Sequence, residues 1–326
     1  MQSVALNSLS KIKFIGKYFS GIATIFMLHR VHPFESNKLR PNEDMKVSPE
    51  FLENLIQELK SSGYEFISLD RLHNILLTGE KVAKQIVFTL DDGYKDNYEI
   101  AYPMFKKHNV PFAVYITTSF PDESAKLWWY ALEDLIVQNT EIILNGTQFN
   151  CDTNQNKIDA FMNIRNIIIS FEGENFQENL CKLFSAYQID WTKYCKELAM
   201  SWEQVKALSL DPLVTIGGHT KNHFSLNKLS EAEIDFEVLE ANRTIASKIN
   251  KPIEHFAYPF GSSAEIGQRE FSIIKKMGFK TVTTTRRGNI YPEHKNYLEC
   301  MPRIMLTENM NITEIGRIRR TKLVTA

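Results

Sequence analysis

The stretch Gln85-Ile86-Val87-Phe88-Thr89-Leu90-Asp91-Asp92-Gly93-Tyr94 decides how this chain is read. Its apolar core is rich in β-branched and aromatic residues, the composition of a buried strand. The run stops on two adjacent carboxylates and a glycine, which are poor residues for a strand interior. Side chains alternate along a strand, so Asp91 and Asp92 point in different directions as the chain leaves the sheet. That divergence suits a division of labour in which one carboxylate holds a cation and its neighbour handles protons. A strand running into an Asp-Gly turn accounts for the same residues. The rest of the chain decides between the two readings.

Outward from this stretch, apolar strands alternate with amphipathic helices. Ile22 to Leu28 reads as a first buried strand ending at His29-Arg30-Val31-His32-Pro33. Ser48 caps a helix with Pro49 in its first turn; Phe51, Leu52, Leu55, Ile56 and Leu59 form its apolar face, and Gly63 ends it. Phe66 to Leu69 reads as a short strand and Leu72 to Leu77 as a short helix. After the Asp91-Asp92 strand come a helix over Tyr98 to His108 and a strand over Val110 to Thr117. Val214 to Gly218, His255 to Gly261, Thr281 to Thr285 and Met301 to Ile304 supply later strands. Between them lie helices over Ser230 to Ile249, with Ser230 and Glu233 as a capping box, and over Phe271 to Met277. Alternation of this kind predicts an α/β fold with a parallel sheet or barrel.

The alternation breaks between about residues 119 and 201. Trp128, Trp129, Leu132, Leu135 and Ile136 fall at helical spacing, and Glu141 to Asn150 reads as a hairpin around Asn145-Gly146. Two helical segments follow, over Gln155 to Ser170 and Asn175 to Tyr187. So long a stretch between two strands predicts an inserted, mostly helical subdomain within one domain spanning 1–326. Packing of the insert on the barrel is the expected role of Trp128 and Trp129, with stacking on a sugar ring as the alternative.

The 326 residues, 43% hydrophobic and 24% charged, are those of a globular protein. A formal net charge of −1 gives no global electrostatic case for a nucleic-acid partner. Cys151, Cys181, Cys195 and Cys300 are widely spaced and resemble neither a zinc knuckle nor a disulfide framework. No apolar run is long enough to span a membrane. Leu6 to Phe19, with Lys11, Lys13 and Lys17 among apolar residues, lacks the apolar centre of an export signal, so a cytoplasmic setting is expected. This segment is read as a surface helix packed on the domain. The alternative is peripheral membrane contact, aided by Arg317, Arg319, Arg320 and Lys322. The sequence leaves the oligomeric state open.

His219-Thr220-Lys221-Asn222-His223 places two imidazoles four residues apart just after a strand, a spacing that lets both rings converge on one cation from a helical or turn segment. With Asp92 they complete a two-histidine, one-carboxylate set with open positions, the make-up of a hydrolytic metal site. Zinc is the ion this set favours; cobalt, nickel and iron share the ligand chemistry.

At these residues the chain resembles the polysaccharide deacetylase family, also called the NodB-homology domain or carbohydrate esterase family 4. The resemblance implies a distorted (β/α)7-type barrel. It puts Asp91 in the place of the catalytic base and Asp92, His219 and His223 in the places of metal ligands. Tyr258-Pro259-Phe260-Gly261 resembles the groove wall and oxyanion-donor region. The three motifs fall in the family's order, each at a strand end, and cover the chain from about Ile22 to Ile304 apart from the insert.

Two departures set the chain apart. The family's common form opens the third motif with an arginine that tunes the base, and supplies a general acid from a late Leu-x-His. Here the third motif opens with Phe256 and Ala257, and the late region reads Met301-Pro302-Arg303. The sequence is more similar to the permuted branch that includes poly-N-acetylglucosamine deacetylases, where a first-strand histidine takes the acid role; His29 matches it. Arg303 is the candidate for the missing cation beside Asp91. His32 is read as a solvated loop residue, Tyr94 as either a sugar contact or a turn-packing aromatic, and His73, His108, His255 and His294 as structural or exposed.

The function implied is metal-dependent removal of an N-acetyl group from an amino sugar in a polysaccharide, oligosaccharide, or lipid- or nucleotide-linked glycan precursor of surface-glycan assembly. The rivals are an O-acetyl or non-sugar amide hydrolase using the same site, and a carbohydrate-binding pseudoenzyme.

Overall fold

The computed structural model describes residues 21–173 and 175–310. The basic segment Leu6 to Phe19 and the cluster Arg317, Arg319, Arg320 and Lys322 lie outside the described residues. Seven strands form the frame: β1 (Ala23–Leu28), β2 (Gln85–Leu90), β3 (Phe112–Ile116), β4 (Val214–Gly218), β5 (His255–Ala257), β6 (Thr281–Arg287) and β7 (Met301–Met305). Each pairs in parallel with the next in chain order, and β1 pairs with both β7 and β2. The sheet therefore closes into a (β/α)7 barrel. Closure is tightest at β1–β2, in register from Ala23↔Gln85 to Leu28↔Leu90. It is loosest at β4–β5, joined at Phe256↔Gly218, and at β6–β7, where the register shifts between Thr283 and Arg287.

The composition of these strands explains their place. Every residue of β1, β2 and β3 is buried, as expected of parallel strands covered on both faces. Outside them, Phe88 meets Phe26 at 5.5 Å and Phe105 at 5.1 Å, and Phe105 stacks on Phe112 at 4.6 Å. This aromatic row ties the first three strands to the helix Tyr102–Lys107. The helix Pro49–Ser61 starts as read, with the Ser48 hydroxyl accepting from the Phe51 N–H, and buries Leu52, Leu55, Ile56 and Leu59.

Local differences from the sequence reading have local causes. The strand expected over Phe66 to Leu69 shrinks to Glu65–Phe66, because Ser68 caps a helix that begins at Leu69. That short strand pairs with the start of β2 before β3 begins. The helix expected over Tyr98 to His108 opens with a wide π-turn over Asn97–Ala101. Pro103 has no N–H to give to an i−4 carbonyl, and the Tyr102 N–H bonds instead to Asn97 O, five residues back. β5 ends at Ala257 rather than Gly261, because Phe260 (φ 60°) and Gly261 (φ 62°) turn the chain.

Between β3 and β4 the chain builds the helices Trp128–Gln138, Asn154–Ile169, Phe176–Leu183 and Lys193–Leu198, with a hairpin whose strands Glu141–Leu144 and Thr147–Asn150 meet at Asn145 and Gly146, both at positive φ. The first three of these helices and the hairpin share a core of their own, including Leu132, Ile136, Phe161, Ile164 and Leu180, while Lys193–Leu198 packs Tyr194 and Cys195 beside Tyr94 and Phe120. Leu39, from the loop after β1, inserts into the shared core. The following helix, Trp202–Leu210, packs Val205 and Leu208 into the barrel's core instead. No helix among the described residues is long and apolar enough to cross a membrane.

Candidate active site

Chemistry-bearing residues collect where the strands end, the face on which parallel barrels carry their sites. β1 leads to His29, β2 to Asp91 and Asp92, β4 to His219, and β7 contributes Arg303 from within the strand. A cleft of about 520 Å³ opens there, bordered by His29, Asp91, Asp92, His219, His223 and Phe260 among others.

The two carboxylates diverge. Asp92 takes the left-handed conformation at φ 75°, sparsely populated for a non-glycine residue, and this turns its side chain away from that of Asp91. Asp91 receives Arg303 in a fork: Nη1 to Oδ1 and Nη2 to Oδ2, each at 2.7 Å. The guanidinium also donates from Nε to Thr284 O at 3.0 Å and from Nη1 to Thr89 Oγ1 at 3.1 Å. Arg303 is fully buried inside the barrel, where an unpaired charge would be prohibitive. Burial alone would raise the Asp91 pKa, but Arg303 and, less directly, His219 outweigh it and hold the carboxyl below its usual range.

Asp92 Oδ1 faces His219 Nε2 at 3.3 Å and His223 Nε2 at 3.2 Å. His219 Nδ1 lies 2.7 Å from Ala257 O. A carbonyl only accepts, so Nδ1 carries the proton, and it is Nε2 that turns to Asp92 and offers a lone pair whenever the ring is neutral. The buried Asp92 Oδ1 makes no hydrogen bond of good geometry with a described residue. Three groups that each offer an electron pair once the imidazoles are neutral, all within 4.8 Å of one another, fit a divalent cation. Without one, burial works to raise the Asp92 pKa, yet His223 and His219 draw it well below the usual carboxylate value.

The two imidazoles meet on an irregular turn, not a helix. Thr220 (φ 64°) and His223 (φ 58°) are both left-handed. Glu237, on the helix Glu231–Ile249, holds this turn by accepting from the Lys221 N–H (3.1 Å), the Asn222 N–H (2.8 Å) and Asn222 Nδ2 (2.5 Å). The Thr220 hydroxyl accepts from the His223 N–H at 3.0 Å.

His29 borders the same cleft, with a buried, unpartnered Nδ1. Burial outweighs the nearby Asp92 and Asp91 charges and lowers its pKa. Its backbone is held by Asn97 Nδ2, which donates to His29 O at 2.9 Å. Next to it, Arg30 is clamped by Asp96 at 2.7 Å and lies over the Tyr94 ring. The sequence reading passed over Arg30, Asp96, Asn97 and Glu237. Arg30, adjacent to His29, and the Asp96-Asn97 pair shortly after Asp91-Asp92-Gly93 stand close to a motif, whereas Glu237 has no such signal.

The motif residues after β5 are arranged unevenly. Phe260 borders the cleft with its ring 5.0 Å from that of His223, and its N–H bonds to no other described residue. Pro259 is buried, and its carbonyl accepts from the Gly261 N–H. Tyr258 also borders the cleft, with its ring turned into the core. It lies two residues after Phe256 and so on the same face, packed against Phe256 and Phe271, with its hydroxyl donating to Glu299 O. Tyr94 borders the cleft but is buried, its hydroxyl accepting from Trp129 Nε1 at 3.2 Å. Of the two tryptophans, Trp128 is buried in the insert's core, and Trp129 comes within 6.0 Å of the His223 ring. His32 sits apart from the cluster with its Nδ1 at Pro33 O. His108 pairs with Glu53, and His255 lies at the opposite, leading end of its strand beside Thr281.

A family model described as polysaccharide deacetylase matches residues 78–155 and 162–282. That span holds Asp91, Asp92, His219 and His223, and leaves His29 and Arg303 outside it. No curated protein matches the chain. Among solved structures the chain is similar to the Streptococcus pyogenes deacetylase PplD in complex with acetate, at 18% identity over 92% of this chain and 98% of that one, with a TM-score of 0.61. It is also similar to IcaB from Ammonifex degensii, at 17% identity over 88% and 92% of the two chains and a TM-score of 0.55. The BpsB deacetylase domain from Bordetella bronchiseptica aligns at 14% identity over 87% and 95%, with a TM-score of 0.53. At these identities the likeness speaks to the fold.

Proposed function

The chain belongs to the polysaccharide deacetylase family, hydrolases that act on glycans, and on that premise we propose that it hydrolyses the N-acetyl group of an amino sugar with a divalent cation held by Asp92, His219 and His223. The observation that carries this reading is the split between adjacent buried carboxylates: Asp91 is locked to a guanidinium, while Asp92 faces two imidazoles.

Amide hydrolysis needs an activated water, a polarised carbonyl and a proton for the leaving amine. When bound, the cation supplies Lewis acidity, lowering the pKa of a water and polarising the acetyl oxygen. Asp91, kept ionised by Arg303, accepts the proton that water gives up as its oxygen joins the carbonyl carbon. The Phe260 N–H is a free donor for the oxyanion that develops. His29 delivers a proton to the nitrogen as the C–N bond breaks, leaving acetate and a free amine. Zinc suits the His/His/Asp set; cobalt, nickel and iron are the ions to compare with it.

The test is acetate release from a panel of N-acetylated oligosaccharides, sugar nucleotides and lipid-linked sugars, with O-acetylated sugars and non-sugar amides alongside, using wild type and Asp91→Asn. Acetate is expected from an N-acetyl sugar, and Asp91→Asn is expected to keep its metal and lose turnover. Release from O-acetyl esters alone would replace the N-acetyl reading. An Asp91→Asn protein free of metal would overturn the division of roles.

A further inference from the structure

The cleft has a second wall, supplied by the insert. Phe161, Met162 and Arg165 of the helix Asn154–Ile169 border it, together with Trp129. Positions 161 and 165, and 162 and 165, lie on neighbouring parts of one helix face. Phe161 is buried in the insert's core, which anchors the helix, while Met162 is exposed and Arg165 half-buried.

Arg165 is the uncommitted charge of this cleft. It makes no hydrogen bond or ion pair with any described residue. None of the cleft's acids pairs with it: Asp91 is forked by Arg303, Asp92 faces the two imidazoles, and the exposed Asp44 lies 3.7 Å from Arg40. The other guanidinium lining the cleft, Arg30, is matched by Asp96 and Tyr130. A guanidinium partly withdrawn from water and lacking a counter-ion binds oxyanions well, because its planar fork offers two parallel N–H donors to a carboxylate or phosphate.

We propose that the amino sugar deacetylated here carries an anionic substituent, a phosphate or carboxylate on the sugar or on its neighbour in the glycan, and that Arg165 pairs with it. This inference rests on the deacetylase reading and narrows its substrate class.

The experiment is a binding comparison on zinc-loaded protein by NMR titration, at low and high salt. The probes are N-acetylglucosamine, N-acetylglucosamine 1-phosphate and N-acetylmuramic acid, which are neutral, phosphate-bearing and carboxylate-bearing respectively. Wild type is expected to bind at least one anionic sugar about tenfold to a hundredfold more tightly than the neutral one, as charge-assisted hydrogen bonds allow. Added salt should shrink this advantage. Arg165→Gln should abolish it, and Arg165→Lys should keep part of it. The arm that shows the preference identifies the source of the oxyanion. Equal binding of neutral and anionic sugars by wild type, or a preference that survives Arg165→Gln, would overturn the pairing. Acetate release from the same sugars keeps the two readings apart. Release without an Arg165-dependent preference defeats the pairing alone, whereas an Arg165-dependent preference without release from any N-acetyl sugar defeats the deacetylase reading alone.

Discussion

Replacing Arg303 with methionine removes a fully buried guanidinium and strands the Asp91 carboxylate inside the barrel. Four hydrogen bonds go with it: two to Asp91, one to Thr284 O and one to Thr89 Oγ1. Methionine fills much of the space of the arginine stem but offers no donor. Breaking one partner out of a buried ion pair costs about 3–5 kcal/mol, because the remaining charge is left uncompensated. With an unfolding entropy of about 2.1 cal/mol/K per residue, a chain of 326 residues should melt about 4–7 °C lower. The sign of the pH dependence reverses as well. In wild type the Asp91 pKa is depressed below the ordinary aspartate value of 3.8, so its contribution is fully present above that value and is lost as pH falls through the folded pKa. In Arg303→Met, burial acts unopposed by the guanidinium and drives the carboxyl toward its neutral form, so the penalty is greatest near neutral pH and shrinks on acidification. Asp91→Asn combined with Arg303→Met removes both charges and should recover about half of the lost stability or more. Thermal melts of metal-free wild type, both single variants and the double variant, at neutral and mildly acidic pH, check this. The reasoning fails if Arg303→Met melts within about 1 °C of wild type at neutral pH, or if the double variant loses the sum of the two single losses.

Glu237→Ala leaves all three candidate ligands in place but releases the left-handed turn that presents His223. It should weaken zinc binding by about 10–100-fold, the usual effect of losing an outer-shell support; chelator competition measures this, and unchanged affinity would mean the turn holds without Glu237. Zinc binding should also strengthen with rising pH. Burial tends to lower the His219 pKa, but Asp92 and Asp91 outweigh it and hold the imidazole above its usual 6.5 in the metal-free chain. Protons therefore compete for Nε2 near neutrality, and affinity should climb by up to about one decade per pH unit until that group is deprotonated. An affinity flat between about pH 6 and pH 8 would contradict the ligand assignment for His219.

Much of the fold was legible because its causes are local. Apolar runs over 22–28, 85–90 and 214–218, with helices capped at Ser48 and Ser230, declare strand and helix through period and capping chemistry that act over a few residues. The Asn145-Gly146 hairpin is of the same kind, since the positive φ values it needs belong to those two residues. The misjudged boundary at Phe66 to Leu69 was also local, turning on Ser68 as a cap, and so is the π-turn that opens the helix over Tyr98 to His108, next to Pro103 as a missing donor.

The order of residues already names the side chains of the candidate site and puts two carboxylates at one strand end. What each of them faces follows from the folded chain. Arg303 meets Asp91 across 212 positions of chain because β1 sits between β7 and β2 and closes the barrel, and no local pattern encodes that closure. His219 owes the direction of its Nε2 to the carbonyl of Ala257 on the neighbouring strand, and His223 owes its approach to a strained turn held by Glu237. Tyr258, one residue past β5, borders the cleft yet packs its ring against Phe256 and sends its hydroxyl to Glu299 O. Arg165 reached the cleft because the insert folds back over the barrel mouth. Period, caps and turn residues act within a few positions, whereas counter-charges, tautomers and cleft walls depend on which distant segments the closed sheet brings into contact.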